Sequence, residues 1–176
     1  MESNITDYLA DRIVDSKASV SHKQIAQVLK SKENITLYSD ETRKYGHTLE
    51  TFAVTDAEQN SYVLGLREMF NKSSQSTLET LQQILRDIDA HCHLLETWDK
   101  KDSYGFNILC NMKNTMSDRA ATEFFFHKLL QQYRQEILPQ VLDTWSDMTQ
   151  QEQELCTSIN NFLLWSPFIG SYGRSY

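Results

Sequence analysis

The spacing of hydrophobic and polar positions changes several times along the chain, and each change marks an expected element. Between residues 4 and 31, Ile5, Tyr8, Leu9 and Ile13 repeat at helical spacing. Ile25, Val28 and Leu29 do the same after Ser21 and Gln24, which are spaced as a capping box, so two short helices are expected. The pair reads as packing that covers a sheet, with the end of a DNA-binding domain as the alternative. Ile35–Tyr38 is then dense in β-formers and ends at Ser39-Asp40. Arg43-Lys44-Tyr45-Gly46 supplies a turn, and Thr48–Thr55 with Leu49, Phe52 and Val54 is a second strand. Asp56–Asn60 is a polar turn, after which Tyr62, Leu64 and Leu66 alternate with polar or small residues as a third strand. Three strands joined by short turns form an antiparallel meander.

The period then returns to that of a helix. Ser76 and Glu79 are spaced as another capping box, and Leu78, Leu81, Leu85, Ile88, Cys92 and Leu95 follow at alternating steps of three and four. After the polar stretch Asp99–Ser103, the residues Phe106, Ile108, Cys110 and Met112 alternate with Asn107 and Asn111, a fourth strand. Reached through a crossover helix, it is expected to run parallel to an earlier strand. A helix from about Arg119 to Ile137 is ended by Pro139. Val141–Ser146 forms a short helical piece. A capping box at Thr149 and Glu152 opens a last helix carrying Leu155, Ile159, Phe162 and Leu163, and Ser166–Tyr176 frays. The expected order is β-β-β-α-β-α-α, an α/β fold with no internal repeat.

Composition narrows the class. The chain has 176 residues, 40% apolar and 23% charged, with eight Phe, eight Tyr and three Trp, enough to build one buried core. Five Gly and two Pro argue against a loop-rich β-sandwich. The three cysteines, Cys92, Cys110 and Cys156, form no Cys-x-x-Cys pair and are expected to be free thiols in a reducing compartment. No leader-like or membrane-spanning run is present, so a nuclear or cytoplasmic protein without a membrane partner is expected. The net charge of −7 repels nucleic acid, so DNA contact requires a local basic patch. Self-association or a protein partner is the alternative.

Two acids occupy informative positions. Asp40 leaves the first strand and Asp118 follows the fourth. If those strands lie side by side in parallel, the carboxylates meet at the carboxyl edge of the sheet, where open α/β sheets hold ligands. Paired carboxylates suit Mg²⁺ or Mn²⁺, which activate water or a hydroxyl in phosphodiester chemistry. Asp40 and Asp118 are therefore the candidate catalytic and metal-ligating residues. Arg43, Lys44, Lys113 and Arg119 flank them and are the candidate nucleic-acid contacts. Each acid also has a structural reading: Asp40 as a turn initiator and Asp118 as a helix-dipole partner. His91-Cys92-His93 is set aside as a zinc site because adjacent helical residues diverge. His127, beside Phe124–Phe126, reads as a packed histidine and His47 as a surface one. No Gly-rich phosphate loop is present.

The segments Leu37-Tyr38-Ser39-Asp40-Glu41-Thr42 with Gly46-His47, Tyr62–Arg67, Leu78–Leu81 and Asn114-Thr115-Met116-Ser117-Asp118-Arg119-Ala120-Ala121-Thr122 resemble transposon-derived proteins. The cores of those proteins are RNase H-like, acid-triad DNA transposases of the hAT-related type. The resemblance spans about residues 35 to 163, and Ser117–Thr122 is its most specific block. It implies strand order 3-2-1-4, Asp40 and Asp118 as the first two metal-binding acids, and Mg²⁺-dependent DNA cleavage and strand transfer. The sequence departs from that pattern after Asn160-Asn161-Phe162, where Leu163–Phe168 replaces the Cys-x-x-His segment expected in relatives. A third acid and a fifth strand are also expected to be missing. The chain then divides into an N-terminal helical segment (1–33), a partial RNase H-like core with an incomplete sheet (34–137), a helical extension (138–165) and a tail (166–176). Metal binding is expected to be weak and the chain inactive alone.

Overall fold

The computed structural model describes residues 3–71, 73–93, 103–117 and 121–163. Helix α1 (Ser3–Leu29) precedes three strands, β1 (Ile35–Lys44), β2 (His47–Thr55) and β3 (Ser61–Glu68). There follow α2 (Ser74–His93), α3 (Tyr104–Asn111), β4 (Met112–Ser117), α4 (Ala121–Val141), a 3-10 turn (Trp145–Asp147), α5 (Gln150–Thr157) and β5 (Asn160–Leu163). The strands form a five-stranded mixed sheet in the order β3-β2-β1-β4-β5, with β1–β3 antiparallel and β4 and β5 parallel to β1. Leu95, residues 99–102 of the polar stretch, the tail Ser166–Tyr176 and the side chains of Ile5, Tyr8, Leu9 and Ile13 lie outside the described residues.

The meander forms as its alternation predicts, and the first hairpin turns on Tyr45 and Gly46 at φ 51° and 84°. Two successive positive φ values give the turn whose twist matches the flanking strands, and Gly46 adopts one of them without a Cβ penalty. The first strand is longer than expected. It does not end at Ser39-Asp40 but continues to Lys44, because residues 39–44 keep pairing with β2 down to Lys44↔His47.

One face of the sheet buries Ile35, Leu37, Phe52, Val54 and Leu64 against Leu78, Leu81, Ile84, Leu85 and Ile88 of α2, with Phe126 and Leu130 of α4. Each such side chain contributes about 1.5–3 kcal/mol. The α2 stripe is therefore as expected, with Ile84 added. Its cap is not. Ser73 Oγ accepts from the Ser76 N–H at 3.1 Å, so the helix begins a turn before the predicted Ser76–Glu79 box. The N-terminal region is likewise one helix rather than two. Ser21 and Gln24 lie inside α1, where no Gly or Pro interrupts residues 3–29.

The largest corrections concern the fourth and fifth strands. Residues 106–111, expected as a strand, are the helix α3. Ser103 Oγ accepts from the Phe106 N–H at 3.2 Å, and Asp89 of α2 accepts from the Gly105 N–H at 2.9 Å and from Ser103 Oγ at 2.7 Å. Gly105, Ile108, Leu109 and Met112 are buried, a helical spacing that the alternation of 106, 108, 110 and 112 hides. A Cβ on Gly105 would lie 2.5 Å from the Leu85 carbonyl oxygen, so only glycine lets α3 sit this close to α2. The fourth strand starts where the predicted one ends, at Met112.

Pro139 does not end α4, which runs on to Val141. A proline in the last turn forfeits only one intrahelical bond, and Leu142 still donates to the Leu138 carbonyl at 3.0 Å. Residues 141–146 are the end of α4 and the start of the 3-10 turn rather than a separate helical piece. The Thr149–Glu152 capping box is present as predicted. The helix it opens stops at Thr157, because Ser158 turns extended at ψ 142°. Ile159, Phe162 and Leu163 therefore leave the helix, and Asn160–Leu163 pairs in parallel with residues 114–117. The sheet that was expected to lack a fifth strand has one.

Arg134 of α4 ties these late elements together. It is fully buried and donates from Nη1 to the Leu109 carbonyl and from Nη2 to the carbonyls of Cys110 (3.4 Å) and Cys156 (2.7 Å). These carbonyls belong to the last turns of α3 and α5, which have no intrahelical donor. Burial holds the guanidinium pKa below its ordinary value.

Candidate functional site

The parallel β1–β4 ladder decides where the candidate acids stand. Its pairs run from Ile35↔Met112 to Leu37↔Thr115 and end at Tyr38↔Met116. Both strands point the same way, and β5 beside them does too, so their carboxyl ends share one edge. Asp40 stands two residues beyond Tyr38, and in the sequence Asp118 stands two residues beyond Met116. Asp40 is not at the exit of its strand, as expected, but within β1, opposite Thr51 of β2. It passes the end of the β4 ladder while the β2 ladder continues. Asp118 and Arg119 lie outside the described residues.

Side chains alternate along β1. Ile35 and Leu37 face the helices, so Asp40 shares the opposite face with Thr36 and Tyr38. Its carboxylate is exposed and makes no hydrogen bond or ion pair to another described residue. That suits a hard cation, which keeps several waters and takes one or two carboxylates. Among the described residues no group of three or more His, Cys, Asp or Glu could hold a metal ion.

Of the four basic candidates, Arg43 and Lys113 have described side chains. Arg43 is exposed near the hairpin end of β1, and the side chain of Lys44 lies outside the described residues. Lys113 is at the opposite end of β4 from the acid edge. Its Nζ donates to the Cys156 carbonyl at 3.2 Å, which makes it a cap for α5 rather than an arm for phosphate. Of the four candidate contacts, Arg43 is the described side chain that stands in solvent on the acid-bearing strand.

Sequence reasoning missed Glu123. In the first turn of α4, its Oε2 accepts from Ser39 Oγ at 2.7 Å, which puts a carboxylate beside the residue preceding Asp40 on the helix-facing side of β1. One turn later, His127 Nδ1 lies 3.0 Å from Thr115 Oγ1. The same hydroxyl is 3.4 Å from the Asn160 carbonyl oxygen and 3.3 Å from Asn161 Oδ1. Ser39, Glu123, Thr115 and His127 thus form a polar patch along the parallel strands. Burial depresses the His127 pKa, so the ring is neutral near pH 7, as a packed histidine should be. The spacing of Glu123 and His127, one helical turn apart after the Ser117-Asp118 pair, was the available signal.

The remaining candidates separate cleanly. His47 is exposed at the start of β2 and pairs with Glu68 of β3. Cys92 is buried, Cys110 and Cys156 are partly buried, and none of the three forms a disulfide. His91 meets His22 rather than a metal cluster. No helix among the described residues is long and apolar enough to cross a membrane. Comparison of the sequence with protein-family models and with curated proteins returns no match.

Proposed function

We propose that the chain is an RNase H-like domain, related to the cores of hAT-type DNA transposases, that binds Mg²⁺ or Mn²⁺ at the carboxyl edge of β1 and β4 through Asp40 and Asp118. The observation that carries this reading is the register of the parallel ladder. Its last pair, Tyr38↔Met116, precedes each acid by two residues, and a meander followed by parallel strands is the sheet such a core needs. A bound cation would supply a polarised water or hydroxyl for phosphodiester chemistry. The chain's own contribution is to hold one carboxylate on an exposed strand position and another at the start of the segment leading into α4.

Two acids hold a cation weakly, so the cation site of a cleavage and strand-transfer reaction is expected here at low affinity. Calorimetric titration with MgCl2 and MnCl2 tests the site. Millimolar or tighter binding, lost in both Asp40→Asn and Asp118→Asn, is the expected result. No heat from the wild-type protein removes the proposal.

A second reading, a protein-interaction module, is favoured by the exposed aromatics Phe70 (95%), Phe124 (50%) and Phe125 (57%). A stable dimer by light scattering, unchanged by metal, would favour it.

A further inference from the structure

Two histidines from distant parts of the chain meet head-on. His22 Nδ1 lies 2.8 Å from His91 Nδ1, with ring centroids 5.0 Å apart, so the two nitrogens point along the line between the rings. His22 Nε2 lies 3.1 Å from the Leu64 carbonyl oxygen. A carbonyl only accepts, so His22 carries its proton on Nε2 and presents a bare Nδ1. His91 then donates to it from Nδ1. The pair joins α1 to α2 and, through Leu64, to β3. A cleft of about 320 Å³, lined by both histidines with Val63, Leu66 and Arg67, opens beside them and gives water access to the rings.

We propose that the His22–His91 contact is an acid-sensitive latch that holds the middle of α1 against α2 and β3. One added proton fits the pair. It sits on His91 Nε2, or on His22 Nδ1 with the His91 proton moved to Nε2, and either way a single N–H remains between the rings. A second proton does not fit, because both Nδ1 atoms would then carry N–H into a 2.8 Å gap between two cations.

The charged groups facing His22 are His91 and Asp87 from α2 and Arg67 from β3. Arg67 and Asp87 pair with each other at 2.6 Å and largely cancel. Burial first, then His91, depresses the His22 pKa below the ordinary 6.5. The undocked state therefore binds more protons than the docked one, and docking weakens as pH falls below 6.5. Ala26 and Leu29 remain in the core, so release starts on the N-terminal side of Ile25.

Amide hydrogen exchange read by mass spectrometry, corrected for the intrinsic pH dependence of exchange, tests the latch in the whole chain. Protection of residues 16–22 is expected to drop between pH 7.5 and 5.5, by up to about tenfold per pH unit for each proton taken up, while residues 78–88 of α2 hold theirs. In His91→Gln, whose amide donates but does not titrate, that drop should vanish. Unchanged protection in the wild type overturns the proposal, as does an equal drop in His91→Gln. If that variant fails to fold, ring proton shifts of the wild type decide. Two separated titration steps support the latch, and two independent, overlapping steps end it.

Discussion

Replacing Arg134 by Met sets two large effects against each other. A buried ion pair can often be exchanged for apolar side chains at little cost, because both charges leave together. Here the acceptors are main-chain carbonyls of Leu109, Cys110 and Cys156, and they stay when the guanidinium goes. The contacts to Leu109 and Cys156 are close, and the one to Cys110, at 3.4 Å, is marginal. The Cys156 carbonyl keeps its bond from Lys113 Nζ at 3.2 Å, so one buried carbonyl, that of Leu109, is left unsatisfied, at about 1–3 kcal/mol. Against this, the variant no longer buries a cation whose Nε has no hydrogen-bond partner among the described residues. The α3 and α5 carboxyl-terminal dipoles already offset part of that burial, so the relief is smaller than the loss.

The net expectation for Arg134→Met is a destabilisation of about 1–2 kcal/mol. For a chain of this size that lowers Tm by about 2–8 °C. Arg134→Lys, which keeps the charge but cannot fork between α3 and α5, should fall between. Urea and thermal unfolding followed by circular dichroism measure both. A Met variant as stable as the wild type, or more stable, would show that the cost of burying the guanidinium exceeds the worth of its bonds and refute the reasoning.

Two further outcomes follow from local geometry. Gly105→Ala drives a methyl to 2.5 Å from the Leu85 carbonyl oxygen and 3.0 Å from Asp89 Oδ2, so α3 must move off α2. A loss of about 1–3 kcal/mol by urea unfolding is expected, and an unchanged midpoint would contradict the close approach. The Asp56 carboxyl, which burial alone would raise, is held well below its ordinary 3.8 by hydrogen bonds from Asn60 and by Lys32. Its contribution is present above pH 3.8 and disappears as pH falls toward the depressed value. Acid unfolding of Asp56→Asn should consequently lack part of the wild type's pH dependence below 3.8, measured from denaturation midpoints across that range.

The sequence revealed the meander and α2 because each obeys a single local period. Leu37, Phe52, Val54 and Leu64 alternate, and Leu78, Leu81, Leu85 and Ile88 repeat on one helical face. It misled at residues 106–111, where two periods overlap and the choice falls to Asp89, a side chain on another helix. It misled again at Ile159–Leu163, whose spacing continues a helix on paper. The pairing partner of that stretch, β4, is remote in sequence. The candidate acids were recognisable by type, but position was not. Asp40 lies within β1 because the β2 ladder runs longer than the β4 ladder, and Glu123 reaches Ser39 only through the folding of α4 across the sheet.

The sheet order also constrains how the chain can be made. β4 docks on β1, not on β3, so the side of β1 left bare by the first hairpin waits for Met112 and the residues after it. Ribosomes add about 5–20 residues per second, so the stretch between the end of β3 at Glu68 and Met112 takes several seconds to emerge. Throughout that interval the nascent meander offers one open rail of amides and carbonyls to any other extended chain nearby. Slower translation lengthens this window, and a holdase that covers extended strands would raise the yield of folded protein.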